Sequence, residues 1–239
     1  MHDFLHFVTN NWWQILLTVM IAYLLGSINF AIIITNIVNK NQDIREMGSG
    51  NAGFTNVLRS VGKVPAIFTI VFDFLKAVIA VIVGGLLFSM TVGDGLQTGE
   101  VICYGKYLAG LFCMVGHMYP VYFGFRGGKG VVTVSALMAV ADWRVFLIVL
   151  GIFLIVFIAA RIISLGSLIG AVCYPVITFF ITFFMDYRPS LHSEMPHTVN
   201  YVIISTLFTL FISICVIVKH SENIKRLANG TEKKITAKK

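Results

Sequence analysis

Residues 64–92, VPAIFTIVFDFLKAVIAVIVGGLLFSMTV, form an apolar run carrying two charges, Asp73 and Lys76. A helix needs about 20 apolar residues to cross a bilayer, and this run exceeds that. A lone charge in hydrocarbon costs at least about 2.5–3.5 kcal/mol. Asp73 and Lys76 stand at i and i+3, on one face of a helix, so they are expected to neutralise each other inside a bundle. The stretch reads as a membrane span with a structural ion pair.

Working outward, six more apolar runs appear: 12–38, 101–122, 131–142, 145–163, 165–185 and 199–218. The run 131–142 is too short to cross unaided. The chain is 57% hydrophobic and 12% charged, with a mean hydropathy of +0.87, whereas soluble domains carry about 25% charged residues. These features predict an all-α, polytopic integral membrane bundle of seven transmembrane helices, one domain over 1–239 with a basic tail at 219–239. The first run is too long for a signal-peptide core and lacks a basic leader, so no cleaved signal is expected. Cys103, Cys113, Cys173 and Cys215 lie within apolar segments without a CxxC pair and read as small buried side chains, neither disulfides nor metal ligands. A formal charge of +7 fits the cytoplasmic excess of Lys and Arg better than nucleic acid. One set of connections holds Lys40, Arg45, Arg59, Lys63, Arg126, Lys129 and Arg161, with more in the tail up to Lys238 and Lys239. The other holds only Lys106, Arg144 and Arg188, among acids that include Asp3 and Asp94. This asymmetry predicts an outer amino terminus and a cytoplasmic carboxyl terminus.

The polar clusters fall on the cytoplasmic side of that topology. In MGSGNAGFTNVLRSVGK, 47–63, closely spaced glycines let the backbone turn N–H groups toward a common point. Ser49, Asn51, Thr55 and Asn56 add short polar groups, and Arg59 adds a planar cation suited to phosphate. A flexible linker is the plainer alternative. In FGFRGGKGVVT, 123–133, Gly127, Gly128, Lys129 and Gly130 precede a helix start and could cradle an anion. It is not a nucleotide P-loop: Phe123 stands six residues before Lys129, and Gly130 follows it. In RIISLGS, 161–167, Ser164 fits a helix cap, and Ser167, one turn in, is the better ligand candidate. In KHSENIKRLANGTE, 219–232, His220 and Asn223 share a helix face, although dipole pairing and contact with anionic lipid also account for a basic tail. His117, near a helix end before Pro120, reads as structural.

GSGNAGFTNVLRSVGK, DFLKA, GHMYPVYFGFRGGKGVVT, RIISLGS and HSENIKRLANGTE together resemble, in order, the sequence blocks of the bacterial acyl-phosphate:glycerol-3-phosphate acyltransferase (PlsY) family. The likeness runs from about residue 21 to the tail. It implies a seven-helix enzyme of the bacterial cytoplasmic (inner) membrane, with its active site facing the cytoplasm. Such an enzyme moves a fatty acyl group from acyl phosphate to the sn-1 hydroxyl of glycerol 3-phosphate, yielding lysophosphatidic acid and phosphate. By position, the resemblance implies catalytic roles for Ser49, Lys129, Ser167, His220 and Asn223. Substrate and phosphate binding fall to Gly50, Asn51, Thr55, Asn56, Arg59, Gly127, Gly128 and Gly130. No metal or cofactor is expected. The expected partners are the two substrates, membrane lipid and an acyl-phosphate-producing enzyme at the membrane, with no nucleic acid. Phe54 departs from the small residue usual there, and Ala52 stands in place of a proline.

Acyl phosphate is a mixed anhydride, so its carbonyl is already activated. Two phosphates beside a lipid chain call for cations, turned backbone and hydroxyls at the membrane surface. The general base stays open between His220 and substrate phosphate, since no histidine here is followed by aspartate five residues on. A small anion transporter would place such groups at matching depths in two repeats, and none are visible. A scaffold protein has no use for several phosphate-compatible loops. A metal-dependent phosphotransferase needs an aspartate cluster, whereas Asp73 is the only acid within a span. The enzyme reading requires the separated loops to share one positively charged site.

Overall fold

The computed structural model describes residues 8–91 and 98–234, all helix, turn and loop, with no strand among them. Asp3, Asp94, Lys238 and Lys239 of the charge count lie outside the described residues. Among the described residues, six spans are long and apolar enough to cross a membrane: Trp12–Val38, Lys63–Ser89, Thr98–Phe123, Trp143–Ala160, Ile163–Ser190 and Val199–Lys219. The short seventh run is a helix at Val131–Ala141. The chain divides into two compact units, 1–141 and 142–239.

In the first unit, α1 (Trp12–Ser27) and α2 (Phe30–Val38) lie within one apolar run but are separate helices. Asn29 makes the break, its side-chain oxygen accepting from Ile32 N–H at 3.1 Å to cap α2. Helix α3 (Phe54–Ser60) is short, and α4 (Lys63–Ser89) carries the charged pair. Then come α5 (Thr98–Met118) and α6 (Val131–Ala141). Lipid supplies no hydrophobic drive between helices, so close approach through small residues takes its place. Ala22, Ala77, Ala80, Ala109, Cys113 and Ala136 form the buried cluster. A methyl on Gly84 would lie 2.6 Å from the Gly105 carbonyl, so α4 and α5 meet almost backbone to backbone. Of the cysteines expected to be buried, only Cys113 is; Cys103, Cys173 and Cys215 are half-buried. The glycine stretch does not lengthen α6: residues 126–130 are irregular, and Gly130 has φ +78°.

The second unit holds α7 (Trp143–Ala160), α8 (Ile163–Phe180), α9 (Val199–Lys219) and α10 (Ser221–Ala228). Asp142 caps α7 by accepting from Arg144 N–H at 2.9 Å. Helix α8 runs into a π-helical stretch, Ile181–Tyr187, within which Asp186 accepts two bonds from the Arg144 guanidinium at 2.8 and 2.9 Å. The expected cap at Ser164 is not found. Helix α8 starts two residues earlier than such a cap requires, Ile162 takes the capping position without a side-chain bond, and the Ser164 hydroxyl is used elsewhere.

Candidate active site

Within residues 1–141, the first loop is shaped from inside by Asn56. Its side chain is 2% exposed. The amide nitrogen donates to the carbonyls of Ile44 and Met47 at 3.0 and 2.9 Å, and the oxygen accepts from Ser49 N–H at 3.0 Å. Substrate could reach this amide only by breaking those bonds, so Asn56 shapes the loop rather than lining it. Gly50, at φ +70°, makes the turn that follows, where a side chain would be strained. Ser49 and Arg59 are exposed, and Asn51 and Thr55 are half-buried. Phe54 packs on the cluster of Ala31, Ile32, Ile44, Ala52, Val57 and Ala66 under the loop, so the bulky ring serves as an anchor. Asn56→Ala is expected to lower stability by about 2 kcal/mol, because buried backbone groups lose partners. Thermal melting in detergent measures it.

Arg45, counted only as a charge in the sequence, ties this loop to the second one. Its guanidinium pairs with Asp43 at 2.6 Å and donates to the carbonyls of Phe123 and Arg126 at 2.6 and 3.3 Å. The hydrogen-bonded Arg45 holds the Asp43 carboxyl below the ordinary carboxylate range. Together with Glu46, Tyr122, Gly124 and Arg126, these residues line a cavity of about 410 Å³.

The glycine motif is arranged differently from its sequence reading. Gly127 N–H and Gly128 N–H point inward, donating to the carbonyls of Met118 and His117 at 3.2 and 3.1 Å. Their role is therefore steric. A methyl on Gly128 would run into His117 Nε2 and lie 2.6 Å from the Ala52 carbonyl, so the two glycine loops meet at this point. Gly130 lies against Met114 and Met118, and its carbonyl receives Thr133 Oγ1 at 2.7 Å and Val134 N–H at 2.9 Å, opening α6. Lys129 is half-buried between two buried glycines at that helix start. First-turn amides of a helix have no partner within it, which favours an anion there.

Within residues 142–239, His220 is 2% exposed, and its Nδ1 lies 2.8 Å from the Val216 carbonyl. A carbonyl can only accept, so Nδ1 holds the proton and Nε2 is the basic nitrogen of the neutral ring. Ser167 Oγ donates back to the Ile163 carbonyl at 3.0 Å. Asn223 is buried, and its amide donates to Glu232 Oε1 at 2.7 Å. The same carboxylate receives Ser164 Oγ at 2.7 Å and Arg226 Nε at 2.6 Å. Burial pushes the Glu232 carboxyl up, but these three bonds outweigh it and leave the group below its ordinary range. Glu232 gets there because Gly230, at φ +68°, ends α10 and turns the chain back. Nothing in the local sequence showed that this turn would bring Glu232 to Ser164.

Comparison with known proteins adds independent findings. Residues 16–230 match the family model described as glycerol-3-phosphate acyltransferase. A Clostridioides difficile strain 630 protein of that name is 36% identical over 220 residues, covering 92% of this chain and 95% of the relative. A Nostoc sp. strain PCC 7120 protein of the same name is 35% identical over 225 residues, with coverages of 92% and 91%. Among solved structures, PlsY (YgiH), an integral membrane glycerol 3-phosphate acyltransferase, in its glycerol 3-phosphate form superposes with a TM-score of 0.73 at 32% identity. That match covers 93% of this chain and 96% of the other. The lysophosphatidic acid form gives 0.72 at 31% identity.

Proposed function

The chain belongs to the glycerol-3-phosphate acyltransferase family, an integral membrane, multi-span enzyme like PlsY, and from that membership we propose the reaction it performs. A fatty acyl group moves from acyl phosphate to the sn-1 hydroxyl of glycerol 3-phosphate, giving lysophosphatidic acid and phosphate. The observation that supports this most is the meeting of two glycine loops at Ala52 and Gly128, with Lys129 next in the chain.

The hydroxyl oxygen attacks the acyl carbonyl carbon and forms the ester bond. The tetrahedral oxyanion then collapses, the bond from carbon to the bridging phosphate oxygen breaks, and phosphate departs with that electron pair. We assign the hydroxyl proton to a substrate phosphate oxygen, with His220 Nε2 orienting the hydroxyl. Lys129, Arg59, Ser49, Asn51 and Thr55 hold phosphate; Gly50, Gly127, Gly128 and Gly130 give the loops their shape, and Asn56 fixes the first of them. Ser167 and Asn223 are the remaining catalytic residues of this proposal. Orientation alone can supply about 7–11 kcal/mol of barrier lowering, through effective molarities of about 10⁵–10⁸ M. Charge stabilisation at the oxyanion and the departing phosphate adds to it.

The Lys and Arg asymmetry supports loops at the cytoplasmic face with the amino terminus outside, and family membership supports a bacterial inner membrane as their setting. That orientation takes Val131–Ala141 as the seventh crossing, although at about 1.5 Å per residue it covers only part of a core about 30 Å thick. The acyl phosphate would come from an enzyme working at the same membrane.

Purified protein given palmitoyl phosphate and labelled glycerol 3-phosphate is expected to form lysophosphatidic acid with chelator present. Palmitoyl-CoA is expected not to replace the donor. Equal turnover with the thioester would overturn the donor assignment, and no product from either donor would overturn the reaction.

A further inference from the structure

Asp73 and Lys76 do more than cancel. Their contact is 2.7 Å, about three turns into α4 from Lys63, with both side chains almost fully buried. A pair that served only neutrality would need no further partners. The Lys76 ammonium also lies 2.5 Å from the Ile28 carbonyl, 3.1 Å from the Gly26 carbonyl and 3.2 Å from His117 Nδ1. Its three protons serve these three acceptors, beside the ion pair with Asp73. Two of these are carbonyls at the α1–α2 break, where backbone groups in an apolar surrounding need a donor.

His117 leads from that buried cation to the glycine motif. It is 4% exposed. Lys76 has only protons to offer, so Nδ1 accepts from it. The other ring nitrogen, Nε2, lies over Gly128, and the His117 carbonyl accepts from Gly128 N–H. A second route closes the circuit: Asn29, at the same helix break, donates from Nδ2 to the Ala52 carbonyl at 3.4 Å, and that carbonyl abuts Gly128.

We infer that Asp73, Lys76 and His117 form a buried positioning network that fixes the Gly127–Gly130 loop, so that intramembrane groups set how firmly phosphate is held. The kinetic part rests on the acyltransfer reading; the structural part does not. These are positioning residues, acting through the loop.

The test uses Asp73→Asn/Lys76→Met, which removes both charges at nearly constant volume, and His117→Asn. Asn retains a polar partner where Nδ1 stood and deletes the ring edge over Gly128, so the buried cation stays paired even if the double variant fails to fold. Hydrogen exchange at the Gly127 and Gly128 amides is expected to speed up about tenfold or more, with α7 amides unchanged. In the same variants, the KM of whichever substrate Lys129→Ala weakens is expected to rise about tenfold, with the other KM unchanged. Unchanged exchange in a folded variant overturns the network. Fast exchange with both KM values unchanged overturns its part in holding phosphate. A wild-type protein that makes no lysophosphatidic acid counts against the acyltransfer reading instead, and exchange alone then decides the network.

Discussion

Lys129→Ala is expected to lower kcat/KM by about 10³, roughly 4 kcal/mol, in a protein that remains folded. The residue is half-buried between Gly128 and Gly130, directly before α6. Its backbone stands beside the meeting point of the two glycine loops and a helix start, and truncation removes charge without opening the core. Arg126 is a poor replacement, being exposed in the preceding turn, where Arg45 holds its carbonyl. Lys129→Arg keeps the charge but exchanges a compact ammonium for a planar fork, so it is expected to restore activity only in part. Turnover of palmitoyl phosphate, read beside the melting temperature, checks both variants. Full activity in the alanine variant would remove the cradle from the mechanism.

Glu232→Ala is expected to lower stability by about 3 kcal/mol, a drop of about 10 °C in Tm, and to reduce activity with it. The carboxylate is 6% exposed and is the common acceptor for Ser164, Asn223 and Arg226. Removing it leaves a buried hydroxyl, a buried amide and a guanidinium without their shared partner, and it frees Asn223 to rotate. A pH signature accompanies this contact. The folded state holds this carboxyl below its ordinary value, so the contribution is complete above the unfolded carboxylate range near 4. It is lost as pH falls through the lowered folded value. Glu232→Gln is expected to flatten that part of the stability profile, and melting curves across acid pH measure it. An identical acid slope in wild type and Glu232→Gln would show that Glu232 is not what senses the proton.

Individual residues show how far the sequence could be read. The spacing of Asp73 and Lys76 disclosed their pairing, because i, i+3 geometry belongs to the helix itself. Nothing local disclosed Gly26, Ile28 or His117 as further partners of Lys76, since these join through a helix break and a second helix. Ser164 looked like a cap by position, and its actual partner comes from a turn 68 residues later. Gly127 and Gly128 were expected to present their N–H groups to an anion, but these groups face inward because the carbonyls of His117 and Met118 at the end of α5 also needed donors.

By itself, the sequence determined six runs long enough to cross a membrane among the described residues, since hydrocarbon thickness converts directly into the length of an apolar run. It also located the polar clusters, because charge is costly in lipid and stands out against an apolar run. Only the tertiary structure decided which polar groups satisfy which, such as Arg45 on the Phe123 carbonyl, Asn56 inside its loop and Glu232 on Ser164. Those pairings answer to buried donors and acceptors that must be matched across long chain separations, and periodicity carries no trace of them.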